Sequence, residues 1–226
     1  MKKKTIYALG FFDGVHIAHR NLISRAKDIA VKNNLQLGIF TFKSDGNIKS
    51  GSERLYDDKE KSEMFESLGA DFVFFADFDA ISGVSAEDFV KKMLVDDIGC
   101  KICVAGFNFR FGKGASGKAT DLCKLMQESN GEAIICEEIK ANDETTLSAS
   151  LIRDLIKNGE IKSATEMLGA PYYIKGRVLE YDFHCLFFFL ILTNLVTKTG
   201  NILRKSMTVV QSQSFALIIY TVPVDS

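Results

Sequence analysis

Residues 5–20 read TIYALGFFDGVHIAHR and set a pattern that the following residues repeat. The first five residues form a short apolar run of the kind found in buried strands. A turn with two glycines, Gly10 and Gly14, follows, and a helical pattern then continues to about residue 32. A strand that passes through a glycine turn directly into a helix predicts the start of a βαβ unit.

Short apolar runs and helical patterns alternate along most of the chain. The predicted strands lie at residues 5–9, 35–42, 72–76, 101–105 and 133–136. The predicted helices lie at about 19–32, 57–68, 85–97, 119–129, 148–158 and 161–168. This alternation predicts an α/β fold with a parallel sheet, in which ligands bind beyond the carboxyl ends of the strands.

Several residues predict where helices begin and end. Gly69, Gly99 and Gly131 each follow a helical pattern, where a left-handed cap is expected. Ser85, three residues before Asp88, predicts an N-cap.

The composition is that of an ordinary globular protein with no overall charge bias. The 226 residues include 28 Lys and Arg against 29 Asp and Glu, and 46% are hydrophobic. Without a general basic field, neither nucleic acid nor an anionic membrane is an expected partner, so we expect a small anion bound at a local site. The most apolar run, residues 183–192, is shorter than the ~20 residues of a membrane-spanning helix.

Five cysteines without a disulfide-like spacing indicate a reducing, cytoplasmic compartment. Cys100 and Cys103 form a C-x-x-C pair, which also occurs in redox and zinc sites, but Cys103 falls in an apolar strand and no second pair follows. We therefore interpret both thiols as packed core residues and predict no metal site.

The density of charge changes near Tyr173. Eight charged residues occur in the 54 positions from Tyr173 to Ser226, whereas the first 172 positions contain 49. We therefore predict two regions, a main domain at 1–172 and a short remnant, β-rich or irregular, at 173–226. The sequence leaves the oligomeric state open.

The turn after the first strand is a candidate phosphate site. Gly10 and Gly14 permit close backbone approach, and His16 and His19, three residues apart, fall on one face of the first helical turn. Helix N-termini favour anions, and imidazoles can donate to phosphate oxygens. A surface histidine pair and half of a metal site, with Asp13 as a further ligand, are the alternatives.

Two further segments offer ligand-binding groups. After the fourth strand, Asn108 and Arg110 stand between Phe109 and Phe111, which either face a ring-shaped ligand or pack into the core. At the start of the penultimate helix, two hydroxyls and a basic side chain one turn on form either a second phosphate cradle or an ordinary N-cap. These three residues are Ser148, Ser150 and Arg153.

Taken together, these segments resemble the adenylyltransferase domain of the bacterial bifunctional riboflavin kinase/FMN adenylyltransferase, or FAD synthetase, family. The resemblance covers residues 5 to about 178. Its motifs here are GFFDGVHIAH, VAGFNFRFGKGASG, LSASLIRDLIKNGEIKSA and MLGAPYYIKGRV. It implies a Rossmann-like nucleotidylyltransferase fold, with ATP and FMN as substrates, Mg²⁺ entering with ATP, and FAD and pyrophosphate as products.

The resemblance also implies roles for individual residues. His16, His19 and Arg153 match the catalytic positions, and we expect the histidines to hold the α-phosphate charge. The implied ATP and phosphate contacts are Gly10, Phe12, Asp13, Gly14, Ser148, Ser150 and Arg153. The implied flavin and nucleotide contacts are Asn108, Phe109, Arg110 and Phe111.

The chain departs from the family pattern in several places. Ala18 and Ala149 stand where the family usually has Gly and Ser, and Lys43 to Gly46 stand where the family usually has the x-P-H-P of a T-F-x-P-H-P loop. No G-F-P-T-A-N stretch of the kinase domain follows Val178, so the resemblance implies that residues 173–226 are an incomplete remnant of the riboflavin kinase domain, and we expect no riboflavin kinase activity. A transferase with another phosphorylated acceptor and a non-catalytic nucleotide- or flavin-binding protein remain the alternatives.

Overall fold

The computed structural model describes residues 5–43, 54–140, 146–173, 207–212 and 215–220. The main sheet contains β1 (Thr5–Leu9), β2 (Gln36–Phe42), β3 (Phe72–Ala76), β4 (Cys100–Gly106) and β7 (Glu132–Cys136), and the short strands β5 (Arg110–Phe111) and β6 (Gly117–Lys118) lie between β4 and β7 in the chain. The α-helices are α1 (Ile17–Lys32), α2 (Asp58–Ser67), α3 (Phe78–Ile81), α4 (Ala86–Asp88), α5 (Ala119–Glu128), α6 (Ala149–Lys157) and α7 (Ile161–Leu168). A π-helical segment, Phe89–Asp97, continues α4, and single 3-10 turns cover Asp13–Val15 and Lys113–Ala115.

The five main strands form one parallel sheet in the order β3-β2-β1-β4-β7. The predicted α/β fold is therefore confirmed, and the fold is Rossmann-like. The order reverses between β1 and β4, because the chain moves outward from β1 to β3 and then returns to the other side of β1. Ligands of such sheets bind at this switch point.

Strand residues alternate between the two faces of the sheet and bury an apolar layer on each. Ile6, Ala8 and Ile39 belong to the layer that contains buried residues of α1 and α2. Tyr7 and Leu9 belong to the opposite layer, with residues of the π-helical segment and α5. β1 itself is completely buried, as expected for a central parallel strand.

The structure corrects one predicted cap. Gly69 and Gly99 have positive φ values of 89° and 69°, and Ser85 Oγ accepts a hydrogen bond from the Asp88 N–H. After α5, however, Asn130 takes the left-handed conformation instead of Gly131. Gly131 serves close packing, because a Cβ there would lie 2.7 Å from Met126 Cε and 3.0 Å from the Lys101 carbonyl oxygen.

The chain divides into two compact units, Met1–Leu147 and Ser148–Ser226. In the second unit α6 packs against α7, and β8 (Met207–Ser212) pairs with β9 (Phe215–Tyr220) as an antiparallel hairpin. Residues 174–206, which include the apolar run at 183–192 and Cys185, lie outside the described part. The predicted boundary between the two regions after residue 172 therefore stays a prediction. No helix of the described residues is both long and apolar enough to cross a membrane.

Candidate functional site

Two candidate segments leave the sheet side by side at the switch point. β1 and β4 are parallel neighbours, and Leu9 at the end of β1 pairs with Ala105 near the end of β4. The chain therefore enters the turn after β1 at Gly10 next to the place where it enters the loop after β4 at Gly106. The turn after β1 contains GFFDGVHIAH, and we call residues 10–19 the histidine loop and residues 106–111 the asparagine loop.

Tight backbone geometry shapes the histidine loop. The buried Phe12 ring lies over Gly10, where an added Cβ would approach Phe12 Cζ to 2.8 Å. Phe12 and Val15 have positive φ values of 51° and 42°, and Gly14 has a φ of 80°. Left-handed backbone at a β-branched residue such as Val15 is strained, and such strain is typical of functional sites.

The two histidines of the loop stack on each other. Their ring centroids are 3.7 Å apart with an interplanar angle of 20°. The His19 ring also packs against the Phe12 ring in a T-shaped arrangement, with the two ring centroids 5.1 Å apart. His16 is only 4% exposed. The Nδ1 atoms of both rings are buried and have no hydrogen-bond partner among the described residues. Buried polar atoms are normally satisfied, so these two nitrogens point to a ligand.

Both imidazoles are neutral at pH 7. Burial lowers the pKa of His16 from 6.5 to about 4, and the Asp13 carboxylate only partly opposes this fall. Burial, and then the like charge of His16, lowers the pKa of His19 well below its ordinary value. A first proton on the pair therefore disfavours a second.

The histidines stand at the N-terminus of a 16-residue helix. His16 is the N-cap of α1, and its side chain makes no capping hydrogen bond. The first N–H groups of a helix have no partner within the helix, and they carry its positive partial charge. Together with the two unpartnered Nδ1 atoms, this end of α1 suits an anionic group such as phosphate.

Neighbouring segments hold the histidine loop in place. Thr41 Oγ1, at the end of β2, donates to the Phe11 carbonyl oxygen at 2.9 Å. The Leu55 N–H donates to Asp13 Oδ1 at 3.2 Å, and the Arg54 guanidinium lies 5.0 Å from the centre of the Phe11 ring. Asp13, which is 9% exposed, thus has a structural partner as well as a position in the site.

The asparagine loop divides its aromatic residues between the core and the surface. Phe111 is 6% exposed and packs in the core, and Phe109 stacks on it at 5.7 Å. The structure thus favours the packing interpretation for these two rings. Asn108 and Arg110 are exposed, as expected for ligand contacts.

Phe107 is a candidate ring contact that the sequence analysis missed. It follows the last residue of β4 and is 44% exposed, while Phe109 and Phe111 are turned inward. β5 pairs with β6, and alternation along this short ladder places Phe111 inside and Arg110 outside. The alternation F-N-F-R-F alone does not show which phenylalanine remains at the surface, since it marks no face as buried.

The serine and arginine candidates lie together at the start of α6, in the second unit. Ser148 is the N-cap, and its Oγ accepts from the Leu151 N–H at 3.3 Å, so the capping interpretation holds for it. Ser150 is exposed and accepts from Arg153 Nη2 at 2.9 Å. This bond presents a hydroxyl and a guanidinium as one polar group.

The described residues contain no group of three or more His, Cys, Asp or Glu that is arranged to hold a metal ion. Cys100 and Cys103 are buried in β4, which agrees with their interpretation as core thiols. Cys123 and Cys136 are partly buried. The altered loop at Lys43 to Gly46 lies outside the described residues from position 44 onward.

Comparison with known proteins assigns the family. The model of the FAD synthetase family matches residues 1–150, about two thirds of the chain. This chain belongs to the FAD synthetase family. The match includes the histidine loop and the asparagine loop, both of which lie in the first compact unit.

Individual relatives of this FAD synthetase family member support the family assignment. The bifunctional riboflavin kinase/FMN adenylyltransferase of Listeria monocytogenes is 35% identical over 78% of this chain and 57% of its own length. The protein of the same name from Bacillus subtilis is 30% identical over 79% of this chain and 58% of its own length. The matches thus span less than two thirds of these relatives.

A solved structure is similar to much of the chain. It is described as a macrolide-efflux protein from Streptococcus pneumoniae and is 26% identical, with a TM-score of 0.70. The similarity covers 80% of this chain and 62% of that one.

Proposed function

We propose that this chain transfers AMP from ATP to FMN and so produces FAD and pyrophosphate. Family membership supports the proposal, and one structural observation carries it. Two neutral, stacked imidazoles with unpartnered nitrogens stand at the first turn of α1, at the switch point of the sheet. That is where an anionic ligand of this fold is expected.

The reaction needs no protein nucleophile. A phosphate oxygen of FMN attacks the α-phosphorus of ATP in line, and the bond from that phosphorus to the pyrophosphate oxygen breaks as the new P–O bond forms. Catalysis then consists of positioning the two substrates and stabilising the charge that develops.

The histidine loop stabilises the charge on the α-phosphate in this mechanism. His16 and His19 enter neutral, and an anion placed beside them favours their protonated form. Their hydrogen bonds therefore strengthen as negative charge grows in the transition state. The loss of one such donor typically costs about 10²-fold or more in kcat.

The start of α6 holds the departing pyrophosphate in this proposal. Ser150 and Arg153 already form one polar group, and a guanidinium binds two phosphate oxygens in parallel. Ser148 contributes through its N-cap, which fixes the first turn of α6 and leaves backbone N–H groups for an anion.

The asparagine loop holds the FMN ring and the nucleotide. Asn108 has donors and acceptors for ring edges, and Arg110 adds a positive charge at the same surface. Phe107 has the exposed aromatic face on which an isoalloxazine ring can stack. Phe109 and Phe111 support this loop from the core side.

Mg²⁺ enters with ATP in this proposal. Mg²⁺ commonly uses substrate phosphates, waters and one or two carboxylates, so it needs no protein-only cluster. Within the described residues no such cluster exists, and the Oδ1 atom of Asp13 already accepts from Leu55.

A single incubation series tests the proposed function. The purified chain is mixed with Mg-ATP and FMN, with Mg-ATP and riboflavin, and with Mg-CTP and a phosphorylated alcohol, and products are separated chromatographically. We expect FAD and pyrophosphate from the first mixture and no FMN from the second. Binding of FMN and ATP without product would favour a non-catalytic binding protein, and product from the third mixture alone would favour a transferase with another phosphorylated acceptor.

A further inference from the structure

A buried lysine lies beside the candidate site and has no role in the proposed mechanism. Lys61 of α2 is 1% exposed. Its Nζ donates to the Phe42 carbonyl oxygen at 3.2 Å, lies 3.1 Å from Asp58 Oδ1 and is 5.4 Å from the centre of the Phe75 ring. The structure thus places a cation inside the layer between α2 and the sheet.

A buried cation of this kind is costly. Removing an ammonium from water carries a large penalty, and apolar residues of similar volume often replace buried ion pairs without loss of stability. Burial accordingly lowers the pKa of Lys61 despite its bond to Asp58. A methionine would fill a similar volume, so what the ammonium adds is direction and charge rather than packing.

The direction of the ammonium links it to the histidine loop. Phe42 is the last residue of β2, and the preceding Thr41 already binds the loop through the Phe11 carbonyl oxygen. The chain before α2 binds the same loop through Leu55 and Asp13. Lys61 thus connects α2 to the C-terminal end of β2, and the same end of β2 binds the histidine loop.

The charge of Lys61 also influences the charged residues of the histidine loop. Asp13 favours the charged form of Lys61, and Arg54 disfavours it, so the three charges influence one another. Asp13 in turn acts on His16. Removal of the lysine charge therefore changes the electrostatic environment of the histidine pair.

We propose that Lys61 is a positioning residue for the transfer reaction, holding the end of β2 against α2 and balancing the Asp13 charge so that the two histidines keep their working geometry. This inference rests on the proposed function for its catalytic consequence. Its structural part, the placement of the imidazoles, is independent of the substrate.

The test compares Lys61→Met with Lys91→Met in the full chain. Lys91 also forms ion pairs, with Glu87 at 2.7 Å and Glu128 at 3.3 Å, but it lies on the π-helical segment of the opposite layer. Two readouts are used: kcat and KM for ATP, and the imidazole C–H signals in a ¹H–¹³C spectrum. The chain has three histidines, so the spectrum is simple.

We expect Lys61→Met to lower kcat at least tenfold with a smaller change in KM, because misplaced donors weaken the transition state most. Two imidazole signals should move, those of His16 and His19. Lys91→Met should change neither readout. If Lys61→Met does not fold, Asp58→Asn weakens the same contact and should move the same two signals by less.

Unmoved signals in a folded Lys61→Met protein overturn the inference whatever happens to kcat, and so does normal kcat when the wild type makes FAD. If the wild type makes no FAD, the proposed function fails instead, while the spectra still decide whether Lys61 places the histidines.

Discussion

The buried state of His16 predicts a specific loss of stability in mild acid. His16 has a pKa of about 4 in the folded chain and 6.5 as its ordinary value. Above pH 6.5 both the folded and unfolded states carry a neutral ring, so the residue has no effect on the pH dependence. As the pH falls from 6.5 to 4, the unfolded state binds a proton at His16 that the folded state does not bind.

The magnitude follows from the difference in pKa. A fall from 6.5 to about 4 corresponds to on the order of 3 kcal/mol, which is fully lost below pH 4. The assay is urea unfolding followed by circular dichroism at pH 7, 6, 5 and 4, for the wild type and for His16→Gln. The glutamine variant keeps the other acidic and basic groups but lacks this titration.

We expect the wild type to lose on the order of 3 kcal/mol more than His16→Gln between pH 7 and pH 4. Equal losses in the two proteins would refute the reasoning, because they would show that His16 is protonated as easily in the folded chain as in the unfolded one. An imidazole titration by NMR gives the same pKa directly.

Three substitutions test other parts of the site. Gly10→Ala should cost about 1–3 kcal/mol and lower activity, because its Cβ would meet a buried ring at 2.8 Å, whereas Gly83→Ala, with no atom within 4 Å, should be silent in urea unfolding. Phe107→Ala should raise KM for FMN roughly threefold to tenfold, because an aromatic ring pair contributes about 0.5–1.5 kcal/mol to binding. Phe74 is also exposed, and Phe74→Ala should leave KM for FMN unchanged. His19→Ala should reduce kcat about 10²-fold with little change in KM for ATP, and normal turnover would remove it from the site.

Much of the fold follows from local sequence. β1 and β3 begin and end at the predicted residues, because short β-rich runs between helices leave little choice of boundary. The prediction that Gly131 caps α5 was wrong for a physical reason. Asn tolerates the left-handed conformation, so Asn130 ends the helix and Gly131 is left to meet Met126 closely.

The site was less predictable, because its properties depend on burial. The spacing of His16 and His19 places them on one face, but it does not show that their rings stack or that burial keeps them neutral. Lys61 gives no sequence signal either, since a lysine in a polar helix is ordinarily exposed. Its role depends on contacts with residues distant in the chain.

The most direct test of the account uses ATP labelled with ³²P at the α-position, together with FMN and Mg²⁺. The account predicts that the label appears in FAD, with none in pyrophosphate and none bound to the protein, and that both His16→Gln and His19→Ala slow its appearance. Labelled protein, or labelled FAD formed equally fast without the histidines, would contradict direct transfer at the histidine loop.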